Sequence, residues 1–444
     1  MHIHILQARH THGLRQSKDT NGGYGTVNDF GRGLAAIFLK YLKRSTMNFP
    51  ELLPAYVQAI LKRQGHTVTY GENQINPQAE IVLLQTSIVN YSKEIAWAHS
   101  IKKDKPSVRI GFMGGMSSGN VDLYQPLLDE GFADFVISGE AENALLQSDI
   151  ASFSGIVQGG QVKEPDRLPF PDWSHLDRKR YGYRTLAAKS GKFLPVLSSR
   201  GCPMSCAYYC TYPLVQGANF RGRTPVNVVD ELDYLQSAYE TEMVMFRDPI
   251  FSLNMNRVAE ICELIIKRGI KISWICETHP RFLKPDLIRL MAQAGCRTVK
   301  LGIESGNLQV MQGSRRAAPD LEYQEKTIAC LGENGIQVFA FYILGYMDDT
   351  QETINQTIDY AIQLNTYGAQ FTIATPYPGT EWYAELQSQS ELFQLDRNLE
   401  HYNQYRLVFQ HKNISFDILE HLKSFAYQRN YFRADYIFKH ILHL

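Results

Sequence analysis

The chain has 444 residues, 44% of them hydrophobic and 20% charged, the balance of a globular protein with core enough for about three domains. Lysine plus arginine and aspartate plus glutamate both count 45, so no overall field selects a nucleic acid or an anionic membrane surface. No stretch reaches the roughly 18 apolar residues of a membrane span, and the seven cysteines with no secretory leader read as a reducing compartment, by default the cytoplasm.

Residues 1–150 alternate short apolar runs with amphipathic ones. Strands are expected at 2–7, 66–70, 81–87, 108–114 and 135–138, and helices near 50–64, 93–103, 122–130 and 141–149. That order predicts a doubly wound, flavodoxin- or Rossmann-like parallel sheet, whose ligands bind beyond the carboxyl ends of the strands. The loops there are Asn21–Gly25, Thr86-Ser87, Gly114–Gly119 and Ser138-Gly139-Glu140. Residues 151–192 lose the rhythm, and Glu164–Trp173 reads as a proline-stiffened connector.

Residues 193–384 return to longer units. Strands are expected at 193–198, 243–246, 270–276, 298–302, 337–344 and 369–375, and helices near 226–239, 255–268, 285–294, 321–334 and 351–364. Six β/α units predict a partial, TIM-like (β/α)6 barrel, with active-site groups on the loops that follow the strands. Residues 385–444 read as a small helical cap. Its aromatic residues Tyr402, Tyr405, Phe409, Phe425, Tyr427, Tyr431 and Phe432 suit either a helical core or a lid over an apolar or planar substrate. No repeat of 20 to 50 residues and no low-complexity tract is visible.

Chemistry concentrates in Ser198–Pro213, where Cys202, Cys206 and Cys210 share one loop after the first strand of the second unit. Thiolates are the ligands of iron–sulfur clusters, and a four-iron cluster held by three of them leaves one iron open to a non-protein ligand. A zinc site would call for a fourth cysteine or a histidine at finger-like spacing. The next cysteine, Cys262, sits in an apolar helical run, and Cys262, Cys276, Cys296 and Cys330 are expected to be core thiols.

With Arg200-Gly201-Cys202-Pro203 ahead of it, this loop resembles that of radical S-adenosylmethionine (SAM) enzymes carrying an N-terminal cobalamin-binding domain, and the resemblance spans nearly the whole chain. Those proteins usually leave three residues and then two between the cysteines, whereas this chain leaves three in both gaps. The resemblance implies a [4Fe–4S] cluster on Cys202, Cys206 and Cys210, with SAM chelating the open iron and being cleaved reductively to a 5′-deoxyadenosyl radical. It assigns SAM contacts to Tyr208 or Tyr209 near the adenine, Asp248 near the methionine amine, and Glu277, Gly302, Glu304, Ser305 and Gly345 at the ends of later strands. Asp248 as a loop cap and Glu277 as an ion-pair partner remain open alternatives. For cobalamin (B12) it points to Thr86, Ser87, Gly114, Gly115, Ser138, Gly139 and Glu140. No Asp-x-His-x-x-Gly run is present, and His10, His12 and His66 do not stand in that context, so no histidine ligand to cobalt is evident.

The expected activity is functionalisation of an unactivated carbon, first as cobalamin-dependent C-methylation. Cyclisation, rearrangement or oxidation without methyl transfer is the second reading, and a non-catalytic electron-transfer or redox-sensing cluster protein the third. Expected partners are a small-molecule, lipid-like or peptide substrate and an external donor such as flavodoxin or ferredoxin. Nucleic acid is disfavoured by the balanced charge and the lack of an appended basic module.

Overall fold

Ile81–Gln85 is buried at every position, the pattern of a parallel strand covered on both faces, and it lies inside the first of two six-stranded sheets. The computed structural model describes residues 1–9, 16–33, 36–41, 47–177, 181–184, 189–190, 192–317 and 319–442. The first sheet is built from β1 (His2–Gln7), β2 (Thr67–Glu72), β3 (Ile81–Gln85), β4 (Arg109–Met113), β5 (Phe135–Gly139) and β6 (Gly155–Gly160). Its order is β2-β1-β3-β4-β5-β6 and every pair is parallel. The chain therefore reverses direction across the sheet at β1/β3, the place where doubly wound sheets open a crevice.

β6 lies within the stretch the sequence presents as a connector. Three of its six residues are glycine and its side chains alternate in exposure, so it carries little of the apolar signal of a central strand, yet it pairs with β5 from Phe135↔Gly155 to Gly139↔Gly160. Gly115–Gly119, expected as loop, forms one short helix.

The second sheet contains β7 (Phe193–Val196), β8 (Met243–Phe246), β9 (Ser273–Thr278), β10 (Cys296–Glu304), β11 (Gln337–Leu344) and β12 (Gly368–Ile373), in sequential order and all parallel. Helices Pro225–Tyr239, Met255–Arg268, Pro285–Gln293, Leu321–Glu333 and Gln351–Leu364 connect successive strands. Their starts are fixed locally: Thr224, Asn254, Asp320 and Thr350 each accept a backbone N–H of the first turn, a cap worth about 1 kcal/mol.

The aromatic tail covers the sheet edge. Helix Phe416–Tyr431 lies along β12, where the Tyr427 hydroxyl donates to the Phe371 carbonyl at 2.9 Å and accepts from its N–H at 3.0 Å. Tyr431 does the same at Ala369, at 2.6 and 2.8 Å. These hydroxyls satisfy backbone groups that an open edge strand would expose. Tyr402 and Tyr405 are buried, and the Tyr402 hydroxyl donates to the Asp396 carbonyl at 2.8 Å. Tyr402, Tyr405, Phe409, Tyr427 and Tyr431 are thus core and edge cover rather than a lid, while Phe432 is exposed. Among the described residues no helix is long and apolar enough to cross a membrane.

Candidate functional site

The loop after β7 is held from below before it presents a thiol. The buried Asp248 carboxylate accepts the Ser198 N–H at 2.8 Å, the Ser198 hydroxyl at 2.6 Å and the Ser199 hydroxyl. Arg257 donates to the Ser198 carbonyl at 2.6 Å. Asp248 is therefore the floor of the loop and does not line the cavity above it. At Gly201 φ is +81° and a Cβ would collide with the Asn219 carbonyl oxygen, which leaves glycine as the residue that can turn the chain there.

One turn of 3₁₀ helix, Ser205–Tyr208, follows, and the Cys210 N–H donates to the Cys206 carbonyl at 3.0 Å. The extra residue in the second gap is absorbed by this turn, because a four-residue step along a helical turn returns side chains to one side. Cys202, Cys206 and Cys210 all line a cavity of about 300 Å³. A hydrogen bond from Cys210, reinforced by the Arg316 guanidinium, brings Cys206 down to about 6 despite its burial. Burial pushes Cys202 up to about 11. Of the three thiols Cys206 is the one its surroundings favour as thiolate, the form that binds metal. Among the described residues no three His, Cys, Asp or Glu side chains close on a single metal ion.

Arg316 is the residue the sequence did not single out. Its Nη1 lies 3.6 Å from Cys206 Sγ, and its Nη2 meets the Gly302 carbonyl and the Glu304 carboxylate, both at 3.2 Å. Its Nε is buried with no hydrogen-bond partner among the described residues. Glu304 sits at φ +69°, rare for a residue with a Cβ, beside a register shift between Gly302 and Glu304, so the strand is bent to aim this carboxylate into the cavity. Burial raises Glu304 against the pull of Arg316. His279 lines the same wall and is held neutral, at about 3, by burial and the nearby Arg316 and Arg281.

Of the two rival tyrosines, Tyr209 lines the cavity, with its hydroxyl 3.1 Å from that of Tyr346. Tyr208 turns outward: Arg315 stacks 4.2 Å from its ring centroid, and its hydroxyl donates to Glu385. Glu277 faces the cavity and pairs with Arg247 at 3.0 Å and Lys300 at 3.2 Å. Gly302 lines the cavity too. Ser305 is buried and spent on Thr357, at 2.9 Å. Gly345 makes a turn at φ +82° whose N–H donates to Asp349 at 2.9 Å.

The roof of the cavity comes from the segment that follows β1 of the first sheet. Gln16, Ser17, Thr20, Asn21, Thr26 and Asn28, on the segment after β1, line it together with Tyr377 and Gln404. Asn21 donates to the Tyr377 hydroxyl at 2.9 Å, accepts from Gln404 at 2.8 Å, and its carbonyl accepts from Thr211 of the thiol loop at 2.6 Å. The loops at the carboxyl ends of the two sheets therefore meet, and Asn21–Gly25 serves that meeting.

The remaining candidates of the first sheet have internal partners. Thr86 accepts the Ser117 N–H at 3.1 Å, and Ser87 donates to Glu94 at 2.8 Å, which is itself paired with the buried Lys18 at 2.7 Å. A second cavity of about 90 Å³ is lined by Gly114, Gly115, Gly139 and Glu140 among others; Thr86, Ser87 and Ser138 do not line it. Glu140 binds Arg221 at 2.6 Å and Arg200 at 3.3 Å. Gly115 is glycine because two backbones touch: a Cβ there would lie 2.6 Å from both the Gly22 carbonyl oxygen and the Gly23 Cα. Gly115→Ala is expected to cost about 1–3 kcal/mol in urea unfolding. Gly332→Ala, in a helix where a Cβ meets nothing within 4 Å, is expected to stabilise by about 0.5–1 kcal/mol. His10 and His12 lie outside the described residues; His66 lies 3.6 Å from Asp149, away from both cavities.

A parallel sheet that carries three clustered thiols on the loop after its first strand, under a roof supplied by the segment after β1 of a doubly wound sheet, defines the class. Residues 196–361, under two fifths of the chain, match the model of the radical SAM superfamily. The chain is 29% identical over 280 residues to an uncharacterised methyltransferase of Pyrococcus horikoshii, covering 63% of this chain and 59% of that protein. It is 27% identical over 312 residues to bacteriochlorophyllide d C-12(1)-methyltransferase of Chlorobaculum tepidum, covering 68% and 65%. The chain thus spans about three fifths of the length of these curated relatives. Among solved structures, the radical SAM methyltransferase TsrM from Kitasatospora setae superposes with a TM-score of 0.62 at 15% identity over 89% of this chain and 78% of TsrM. The cobalamin-dependent radical enzyme OxsB superposes at 0.65 with 12% identity over 93% of this chain and 64% of OxsB. Both likenesses are of fold.

Proposed function

We propose that this chain is a radical SAM enzyme that cleaves SAM reductively at a [4Fe–4S] cluster and, with cobalamin, methylates an unactivated carbon. The observation that carries the reading is the set of three thiols facing one cavity beside Tyr209, Glu304 and Arg316. The donor set fits a cluster: one thiol is already favoured as thiolate, and Arg316 stands beside it to balance anionic charge. When bound, these groups would supply an electron, a 5′-deoxyadenosyl radical and a transferable methyl group. The chain's own residues bind, orient and exclude water. Cys202, Cys206 and Cys210 would hold the cluster, Arg316 and Glu304 are placed to meet the amino-acid end of SAM, and Tyr209, braced edge-on by Tyr346, offers its ring to the adenine.

For cobalamin the fitting surface is the roof, where neutral amide and hydroxyl side chains from Gln16 to Asn28 face the cavity and suit the amide-fringed edge of a corrin. No histidine stands among them, so the reading assigns cobalt no protein imidazole. An incomplete (β/α)6 barrel between residues 192 and 384 belongs to the same proposal, supported by the sequential parallel order of β7–β12, and the first unit runs on past residue 150 through β6.

The test is anaerobic reconstitution with iron, sulfide and cobalamin, followed by reductant and methyl-labelled SAM. The expected result is a cluster spectrum perturbed by SAM, 5′-deoxyadenosine, and label in the product. Deoxyadenosine without label transfer would point to cyclisation or oxidation; indifference of the cluster to SAM would leave only an electron-transfer protein. Within this reading Tyr209→Ala is expected to raise the SAM concentration needed for half-maximal deoxyadenosine formation by about tenfold or more, while Tyr208→Ala leaves it near the native value.

A further inference from the structure

The cavity has two chemical sides. Inward-facing positions of parallel strands recur every second residue, and the register places Glu277 beside Lys300, Lys300 beside Phe339, and Gly302 beside Phe341. Arg247, directly after β8, with Glu277 on β9 and Lys300 on β10 forms a charged side, and Phe339, Phe341 and Ile343 an apolar ladder on β11; all six line the cavity.

The charged side is short of one anion. Lys300 is 9% exposed, and buried lysines are rare unless paired. Its ammonium donates to Glu277 Oε1 at 3.2 Å, and Arg247 donates to the same oxygen at 3.0 Å. Among the described residues the ammonium also meets Met245 Sδ at 3.6 Å, a weak acceptor, and lies over the Phe49 ring at 5.7 Å. Two cations thus share one carboxylate at the cavity wall. The Asp19 and Glu51 carboxylates also act on Arg247, but Glu51 is shared with Arg9 at 2.9 Å and with the backbone N–H groups of Lys18 and Asp19. Arg247 reaches Asp19 only at its carbonyl, at 3.2 Å.

We propose that Lys300, backed by Arg247, anchors an anionic end of the substrate, and that the substrate joins one carboxylate or phosphate to an apolar or aromatic body lying on Phe339, Phe341 and Ile343. This deepens the radical-enzyme reading, and rests on it for the word substrate. Charge-assisted hydrogen bonds in a water-poor cavity are stronger than neutral ones, so the anion fixes how far the body reaches toward Tyr209 and the thiols.

The test is binding, measured on the full, anaerobically reconstituted protein by fluorescence titration with three probes of one body: 1-naphthylacetate, 1-naphthaleneethanol and 1-naphthyl phosphate. The wild type is expected to bind an anionic probe about tenfold or more tighter than the alcohol; whichever anion binds tighter identifies the end group. Lys300→Met removes the preference and leaves alcohol binding unchanged, and Lys300→Arg restores it. Equal binding of all three probes to the wild type, no saturable binding of either anion, or a preference that survives Lys300→Met overturns the proposal. The spectral response of the cluster to SAM, read in the same samples, reports separately on the radical reading.

Discussion

Cys206→Ala protein is expected to emerge from anaerobic reconstitution without stoichiometric iron or sulfide and to form no 5′-deoxyadenosine above background. The hydrogen bond from Cys210 and the Arg316 guanidinium lower the Cys206 thiol toward the thiolate, and removing it takes away one of three ligands together with a partner of Cys210. The control is Cys262→Ala. Cys262 is fully buried in helix Met255–Arg268, and burial raises its pKa, so it behaves as a small core hydrophobe. That variant should keep its iron. Native iron content in Cys206→Ala, or equal losses in both variants, would remove the cluster assignment.

The thiol loop was legible because its ligands are local: three cysteines within nine residues announce a site whatever the rest of the fold does. The strands were legible for a related reason. β1, β8 and β11 carry their own apolar pattern, and the structure begins and ends them where the sequence places them. What stayed hidden depends on long-range pairing. β6 is half glycine and exists through its hydrogen bonds to β5. The two-residue strands Met47–Asn48 and Lys189–Ser190 flank Gly182–Arg184 in a small sheet assembled from distant segments.

The site follows the same division. Arg316, Tyr377, Gln404 and the segment from Gln16 to Asn28 reach the cavity from four separate parts of the chain, and no spacing rule joins them. Lys300 did leave a signal: a charged residue at the centre of the otherwise apolar Val299–Leu301 run is out of place in a parallel strand unless it has a partner inside. The glycine-rich loops carry two requirements at once, since they line the second cavity and also let two backbones touch. Gly23 and Gly115 look like a phosphate- or nucleotide-binding run, yet each makes room for the other's backbone, a requirement that sequence alone cannot distinguish from a ligand's. Glu140, assigned by resemblance to a cofactor, is consumed by two arginines.

That arginine clamp gives the second large effect. Ser199–Arg200 and Arg221–Gly222 form an antiparallel pair in which Arg200 faces Arg221, and both side chains cross to the first sheet. Arg221 meets Glu140 at 2.6 and 3.1 Å and the Val162 carbonyl at 2.6 Å; Arg200 meets Glu142 at 2.7 Å. The side chains of Arg200, Arg221 and Glu140 are 6%, 9% and 3% exposed, so solvent cannot replace a missing partner. Glu140→Ala leaves two buried guanidinium groups without their shared carboxylate and is expected to cost about 3–5 kcal/mol in urea unfolding. Glu140→Gln keeps an acceptor for the Val162 N–H, which Glu140 now takes at 2.7 Å, and should cost less. The two arginines hold Glu140 below the ordinary glutamate range although burial opposes them. Its stabilising contribution is therefore full above the unfolded-state pKa and fades as pH falls through the lower folded-state value; the Gln variant should lack that acid-side loss. Because Arg200 lies two residues before Cys202, the clamp also sets where the thiol loop begins. Weakening it should lower the iron retained per chain along with stability, whereas a purely electrostatic ornament would change the urea midpoint by no more than a surface pair does, about 0–1 kcal/mol, and leave the iron content alone.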